Sequence, residues 1–150
     1  MRYPILFSIF LFVTFISCTK EKFSSTPTLK FESVSTTELH PGGVIVFTLS
    51  FTYQGALSGN VLVQELVPTC TNDGLDSINA PYALPPFPAS TDDKGQITIT
   101  YGYNATGYSP ITSPQCSPRN DTAIFRFVLM DNAMHVSDTV SSPQVIIYAQ

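Results

Sequence analysis

The sequence predicts an all-β protein, an antiparallel sandwich of about seven strands, and three observations carry that expectation. Long stretches alternate apolar and polar residues with a period of two, the pattern of a strand with one face in a core. The clearest is Val44–Tyr53, where Ile45, Phe47, Leu49, Phe51 and Tyr53 are set against Val46, Thr48, Ser50 and Thr52. Only 12% of residues are charged while the chain holds 12 Pro, which suits short strands and turns better than helices with charged outer faces. Turn-forming clusters recur between the alternating stretches, and no segment carries a convincing helical period.

The elements follow in order along the 150 residues. Residues 1–17 read as an export leader: Arg2 supplies a positive charge, and Ile5–Ile16 is apolar apart from Ser8 and Thr14. A membrane-crossing helix needs about 20 apolar residues, whereas the core of a secretory leader needs about 7–15. Residues 18–28 read as a polar, Ser/Thr-rich tether. The remaining span, 29–150, has the size of one domain.

Within it, Leu29 and Phe31 alternate with Lys30 and Glu32 as a first strand, and His40-Pro41-Gly42-Gly43 turns the chain into Val44–Tyr53, expected at the centre of the domain. A turn at Gly55–Asn60 leads into Asn60–Val67, and the short spacing predicts that these two strands pair antiparallel. From Thr69 to Asp93 the alternation vanishes, which predicts a long loop. Asp92-Asp93-Lys94-Gly95 is expected to turn into Gln96–Tyr103, with Ile97, Ile99, Tyr101 and Tyr103 facing the core. Thr122–Met130 is a nearly continuous apolar run in which Arg126 marks the outer face. Asp131-Asn132-Ala133 reads as a tight turn, Asn132 being the residue best suited to positive φ, with Met134–Val140 as the returning strand of a hairpin. Gln144–Tyr148 closes the domain, with Pro143 confined to an edge or bulge because it has no N–H to donate.

Phe15-Ile16-Ser17-Cys18 resembles the lipobox of bacterial lipoproteins: a large apolar residue three before the Cys, a small one just before it, then the Cys. The resemblance implies that Cys18 is acylated with diacylglycerol and becomes the first residue of the mature chain, which holds it to a membrane. Thr19 stands where some lipoproteins carry the Asp that retains them in an inner membrane, so an outer-membrane address is expected. The strand pattern of Leu29–Tyr148 resembles the immunoglobulin-like or fibronectin type III sandwich. The chain has no Trp and so lacks the Cys…Trp…Cys signature of true immunoglobulin domains; a jelly roll or small barrel is the alternative. Export would place Cys70 and Cys116 in an oxidising compartment, and with Cys18 blocked by lipid they are the remaining pair. A disulfide between them, tying two Pro-punctuated loops, is therefore expected.

A formal net charge of −4 with no basic run excludes nucleic acid as a partner, since that binding rests on clustered Lys and Arg. The two imidazoles, His40 and His135, both lie at turns, and neither G-x-S-x-G, S-x-x-K nor C-x-x-C occurs. Asn72-Asp73-Gly74-Leu75-Asp76 groups oxygen donors around a Gly, but it lacks EF-hand spacing and reads as a turn. No enzyme activity, metal or cofactor is expected. Tyr101 and Tyr103 share a face with Ile97 and Ile99 and belong to the core, which leaves Tyr82, Phe87 and Tyr108 on the loops as candidate ligand contacts. The expected function is non-enzymatic binding of an envelope protein. A carbohydrate-binding surface lipoprotein is the alternative, and a small metal-dependent hydrolase, which would need Asp73, Asp76 and other acids to converge, is the third.

Overall fold

The structure is a computed structural model that describes residues 25–55, 57–67, 75–76, 81–85, 93–111 and 118–150. Among them there is no helix, and the strands in chain order are β1 (Thr28–Val34), β2 (Glu38–Leu39), β3 (Val44–Tyr53), β4 (Gly59–Leu66), β5 (Leu75–Asp76), β6 (Tyr82–Ala83), β7 (Asp93–Gly102), β8 (Ser109–Pro110), β9 (Asp121–Asp131), β10 (Val140–Ser141) and β11 (Val145–Ile147). They form two sheets, β1-β3-β7-β8 and β2-β11-β9-β4-β5, with β10 beside β9 and β6 beside β4 in the second. The predicted immunoglobulin-like sandwich architecture is the one observed. Pairing is antiparallel except where β8 borders β7 and β2 borders β11, both parallel.

Alternation places the core. Every second residue of β3 (Ile45, Phe47, Leu49, Phe51) and of β9 (Ala123, Phe125, Phe127, Leu129) is buried, joined by Val61 and Val63 of β4 and Ile97, Ile99 and Tyr101 of β7. Phe47 sits at the middle of this layer, its ring centroid 4.8 Å from that of Phe125 and 5.2 Å from that of Phe127. Each such side chain fully withdrawn from water stabilises the fold by roughly 1.5–3 kcal/mol. Arg126 is exposed on the outer face, as its place in the run requires. In β1 the register shifts between Phe31 and Ser33, so that Phe31 opposes Leu49 and Val34 opposes Phe47. This bulge returns Val34 to the core face on which it packs.

Four expectations are corrected. First, β3 and β4 do not pair: β3 lies between β1 and β7, and β4 lies beside β9 in the other sheet. Both edges of β3 are occupied, and Leu57, in the connection to the second sheet, is fully buried. There the Ser58 carbonyl accepts the Asn132 N–H and the Ser58 hydroxyl accepts from the Asn132 side-chain amide. Second, residues 93–95 are strand rather than turn, paired with Tyr53, Thr52 and Phe51. Gly95 is required there because a Cβ would lie 2.7 Å from the Phe51 ring.

Third, Met134–Val140 is not a continuous strand; it touches β9 through an isolated bridge from Val136 to Met130 and through β10. Two serines interrupt the ladder in the same way. The Ser137 N–H donates to the Leu129 carbonyl while its hydroxyl accepts the Leu129 N–H, and Ser142 does the same with Phe125. A hydroxyl that takes the place of a backbone carbonyl frees the chain to bend without orphaning a buried donor. Fourth, positive φ falls on Met134 (φ 66) rather than Asn132, because Asn132 is committed to Ser58.

Candidate functional site

Two of the three predicted loop aromatics lie beside short edge strands, one in each sheet. Tyr82 lies on β6, opposite Val61 of β4, and directly opposed residues share a face, so its ring leans to the core side of the edge strand. Tyr108 immediately precedes β8, which borders β7. A Cβ on Gly102 would lie 3.0 Å from that of Tyr108, so the glycine admits the close approach of this segment to β7. Both rings stay accessible, Tyr82 at 36% and Tyr108 at 49%. Tyr101 of β7, facing inward, is buried near Glu65 of β4, itself only 2% exposed. Burial first, and then the negative charge of Glu65 and the neighbouring Tyr82, push the Tyr101 phenol up to about 12.

Cys18, Cys70, Cys116, Phe87, Asn72 and Asp73 lie outside the described residues, so the expected lipidation, disulfide and loop contacts are not part of this geometry. Asp76 takes its place in β5, opposite Glu65. Among the described residues no group of three or more His, Cys, Asp or Glu side chains could hold a metal ion.

A second constellation was not legible in the sequence. Asp131, the last residue of β9, is buried, and its carboxylate is held from three directions. Oδ1 accepts the His135 backbone N–H at 2.8 Å, and Oδ2 accepts the Tyr53 hydroxyl at 3.1 Å and His135 Nδ1 at 2.9 Å. An ionised carboxylate only accepts, so Nδ1 of His135 carries its proton. Burial alone would raise the Asp131 pKa; the hydrogen bonds from His135 and Tyr53 outweigh it and hold the group below the ordinary carboxylate value. Tyr53 shifts the other way, raised by burial and then by Asp131. The cluster locks the 131–135 turn onto the end of β3. The signal that could have revealed it is the four-residue spacing of an Asp and a His across a tight turn.

At the opposite end His40 stacks on Tyr148, with centroids 4.1 Å apart and planes 15° from parallel. Tyr103 donates its hydroxyl to the Tyr148 carbonyl at 3.1 Å. The Tyr103 phenol is raised by burial and then by Asp121. The first histidine therefore closes the C-terminal segment over the sandwich.

No protein-family model matches the sequence, and no curated protein matches it. Among solved structures, the sporulation control protein Spo0M from Bacillus subtilis is similar over 85% of this chain and 51% of its own, at 10% identity and a TM-score of 0.43. A β-glucosidase from Listeria innocua is similar over 83% of this chain and 16% of its own, at 13% identity and a TM-score of 0.44. The chain thus spans about half of the first and about a sixth of the second.

Proposed function

We propose that this chain is a lipid-anchored binding module of the bacterial cell envelope, without catalytic chemistry of its own, which takes a partner protein beside the short edge strands β6 and β8. The observation that carries the reading is the accessibility of two aromatic rings beside edge strands, Tyr82 next to β4 of one sheet and Tyr108 next to β7 of the other. Exposed aromatic rings supply large contact area at low entropic cost, which is why they concentrate in binding surfaces. The anchor rests on the lipobox-like Phe15–Cys18. A glycan ligand is the second reading, favoured because both accessible rings are tyrosines, able to stack on a sugar face and to hydrogen-bond its hydroxyls.

The test is site-directed photocrosslinking in intact envelopes. A photoreactive amino acid at position 82 or 108 is expected to give a discrete protein adduct that the same group at position 98, on the outer face of β7, does not. Tyr82→Ser with Tyr108→Ser should keep the fold and lose the partner. Equal adducts from position 98, or a folded double variant that still captures the same partner, would overturn the reading. Binding to a glycan array without any protein adduct would replace it with the sugar reading.

A further inference from the structure

Among the described residues the exposed large apolar side chains are Leu62, Tyr82, Tyr108, Met134 and Val136. The two tyrosines belong to the edges already described. Leu62 opposes Val128 across the β4–β9 ladder, Asn60 opposes Met130 in the next row, and Met130 bridges to Val136. Opposed residues share a face, so Leu62, Val128, Met130 and Val136 make one continuous apolar patch on the outer face of the second sheet. Met134, 69% exposed, stands at its rim. Its backbone is held at φ 66, a conformation that costs a non-glycine residue on the order of 1 kcal/mol and persists where the surroundings enforce it. The Asp131 carboxylate and the Asp131 N–H bond to the His135 carbonyl do the enforcing. Among the outward residues of β4 and β9 the one charged side chain is the cation of Arg126.

The chain enters the sandwich at this same end. Thr28 opens β1 opposite Thr52, and the next residue of β3, Tyr53, reaches Asp131. Residues 19–27 can span at most about 30 Å, so an anchor at Cys18 would hold this end of the sandwich within that distance of the bilayer. An apolar patch with the cation of Arg126 beside it matches the boundary between acyl chains and phosphate headgroups, and the exposed Asp138, two residues past Val136, is the anion at its margin. We infer that the Leu62–Val128–Met130–Val136 patch, with Met134 at its rim, seats the domain on the phospholipid surface that carries its anchor. This inference rests on the lipoprotein reading of Cys18.

The absence of Trp from the chain makes a single introduced Trp a unique reporter. Met134→Trp, Val136→Trp and, on the opposite face, Thr98→Trp are placed in the full chain, matured in a bacterial host and reconstituted in phosphatidylethanolamine–phosphatidylglycerol vesicles with or without brominated acyl chains. The reporters at 134 and 136 are expected to shift to the blue and lose most of their emission on brominated vesicles, while the reporter at 98 is unchanged. Equal quenching at all three positions, or none at 134 and 136, overturns the inference. So does a blue shift seen in whole envelopes but not on lipid alone, which would assign the patch to a protein. Flotation reads the anchor separately: a chain that does not float with the vesicles refutes the lipid on Cys18. The same reporters on a chain held to nickel-chelating lipid by an N-terminal histidine tag then decide the patch alone.

Discussion

The two sheets share one core and are built by different rules. In the first, β3 and β7 pair without interruption from Val44 and Gly102 to Tyr53 and Asp93, and β1 adds a third long strand. Its outer face carries Val44 and Val46 and then Thr48, Ser50, Thr52, Thr98 and Thr100, with hydroxyls bonded across strands, Thr28 to Thr52 and Ser50 to Glu32. Apart from the tyrosine hydroxyls, its inner face is apolar. The second sheet has two long strands, β4 and β9, flanked on both sides by fragments of two or three residues. Its inner face holds the buried acids Glu65, Asp121 and Asp131, and its outer face holds the aliphatic patch. The second sheet thus admits acids among its buried apolar residues and aliphatic side chains on its outer face. Departures from local rules concentrate where a protein has something to do besides fold, and both candidate surfaces draw on this sheet.

The sharpest way to break that comparison is to remove one side chain from each side of the first sheet. Phe47→Ala deletes the ring at the centre of the Tyr101, Phe125 and Phe127 cluster and should cost about 3–5 kcal/mol in urea unfolding. Thr98→Ala on the outer face should stay within about 0.5 kcal/mol. A comparable loss at Thr98 would mean that the hydroxyl face is itself covered, and the contrast between an idle and a working face would fail.

What could be read in advance follows the same division. β3, β7 and β9 were legible because one continuous partner imposes one continuous period, and Arg126 marked the outside of β9 because a lone cation interrupts an apolar run. The fragments were not. β2, β5, β6 and β8 are too short to show a period and owe their conformation to the long strands beside them. Ser137 lies inside the stretch expected as a returning strand; what it and Ser142 do, replacing carbonyls along β9, depends on a partner strand that a local pattern does not contain. The hairpin expected between β3 and β4 failed because loop length does not reveal that both edges of β3 are taken. Tyr82 and Tyr108 were singled out by residue type, and the structure leaves both accessible. Asp131, Tyr53 and His135 were missed because Tyr53 is remote in sequence from the other two.

Asp131→Asn probes the acid-bearing inner face with an intermediate effect. It keeps the size of the group but removes the charge that His135 and Tyr53 address, and should cost about 2 kcal/mol at neutral pH, since hydrogen bonds to a charged group carry roughly 1.5–3 kcal/mol. The folded pKa of Asp131 lies below its unfolded value, so its contribution is present above about pH 4 and is lost as pH falls through the folded value. The gap in stability between wild type and variant should therefore be widest near neutrality and close under acid. A gap independent of pH would show that Asp131 acts by shape alone.

The smallest expected effect lies where the two sheets meet. Tyr101 belongs to the first sheet, and the carboxylate that faces it, Glu65, belongs to the second. With its phenol raised to about 12 by burial, Glu65 and Tyr82, Tyr101 is bound to its proton more tightly in the folded chain than in the unfolded one. The sign follows from linkage. Its contribution is complete below the ordinary tyrosine value near 10 and is lost as pH rises from there through about 12. Tyr101→Phe should thus flatten the alkaline fall in stability over that window, and phenolate absorbance should lose one late-titrating step while Tyr53 and Tyr103, also raised, keep theirs. Glu65→Gln, which removes the charge and leaves the burial, should move that step to lower pH without abolishing it. If Glu65→Gln leaves the step in place, burial alone sets it and the acid of the second sheet does not act across the core.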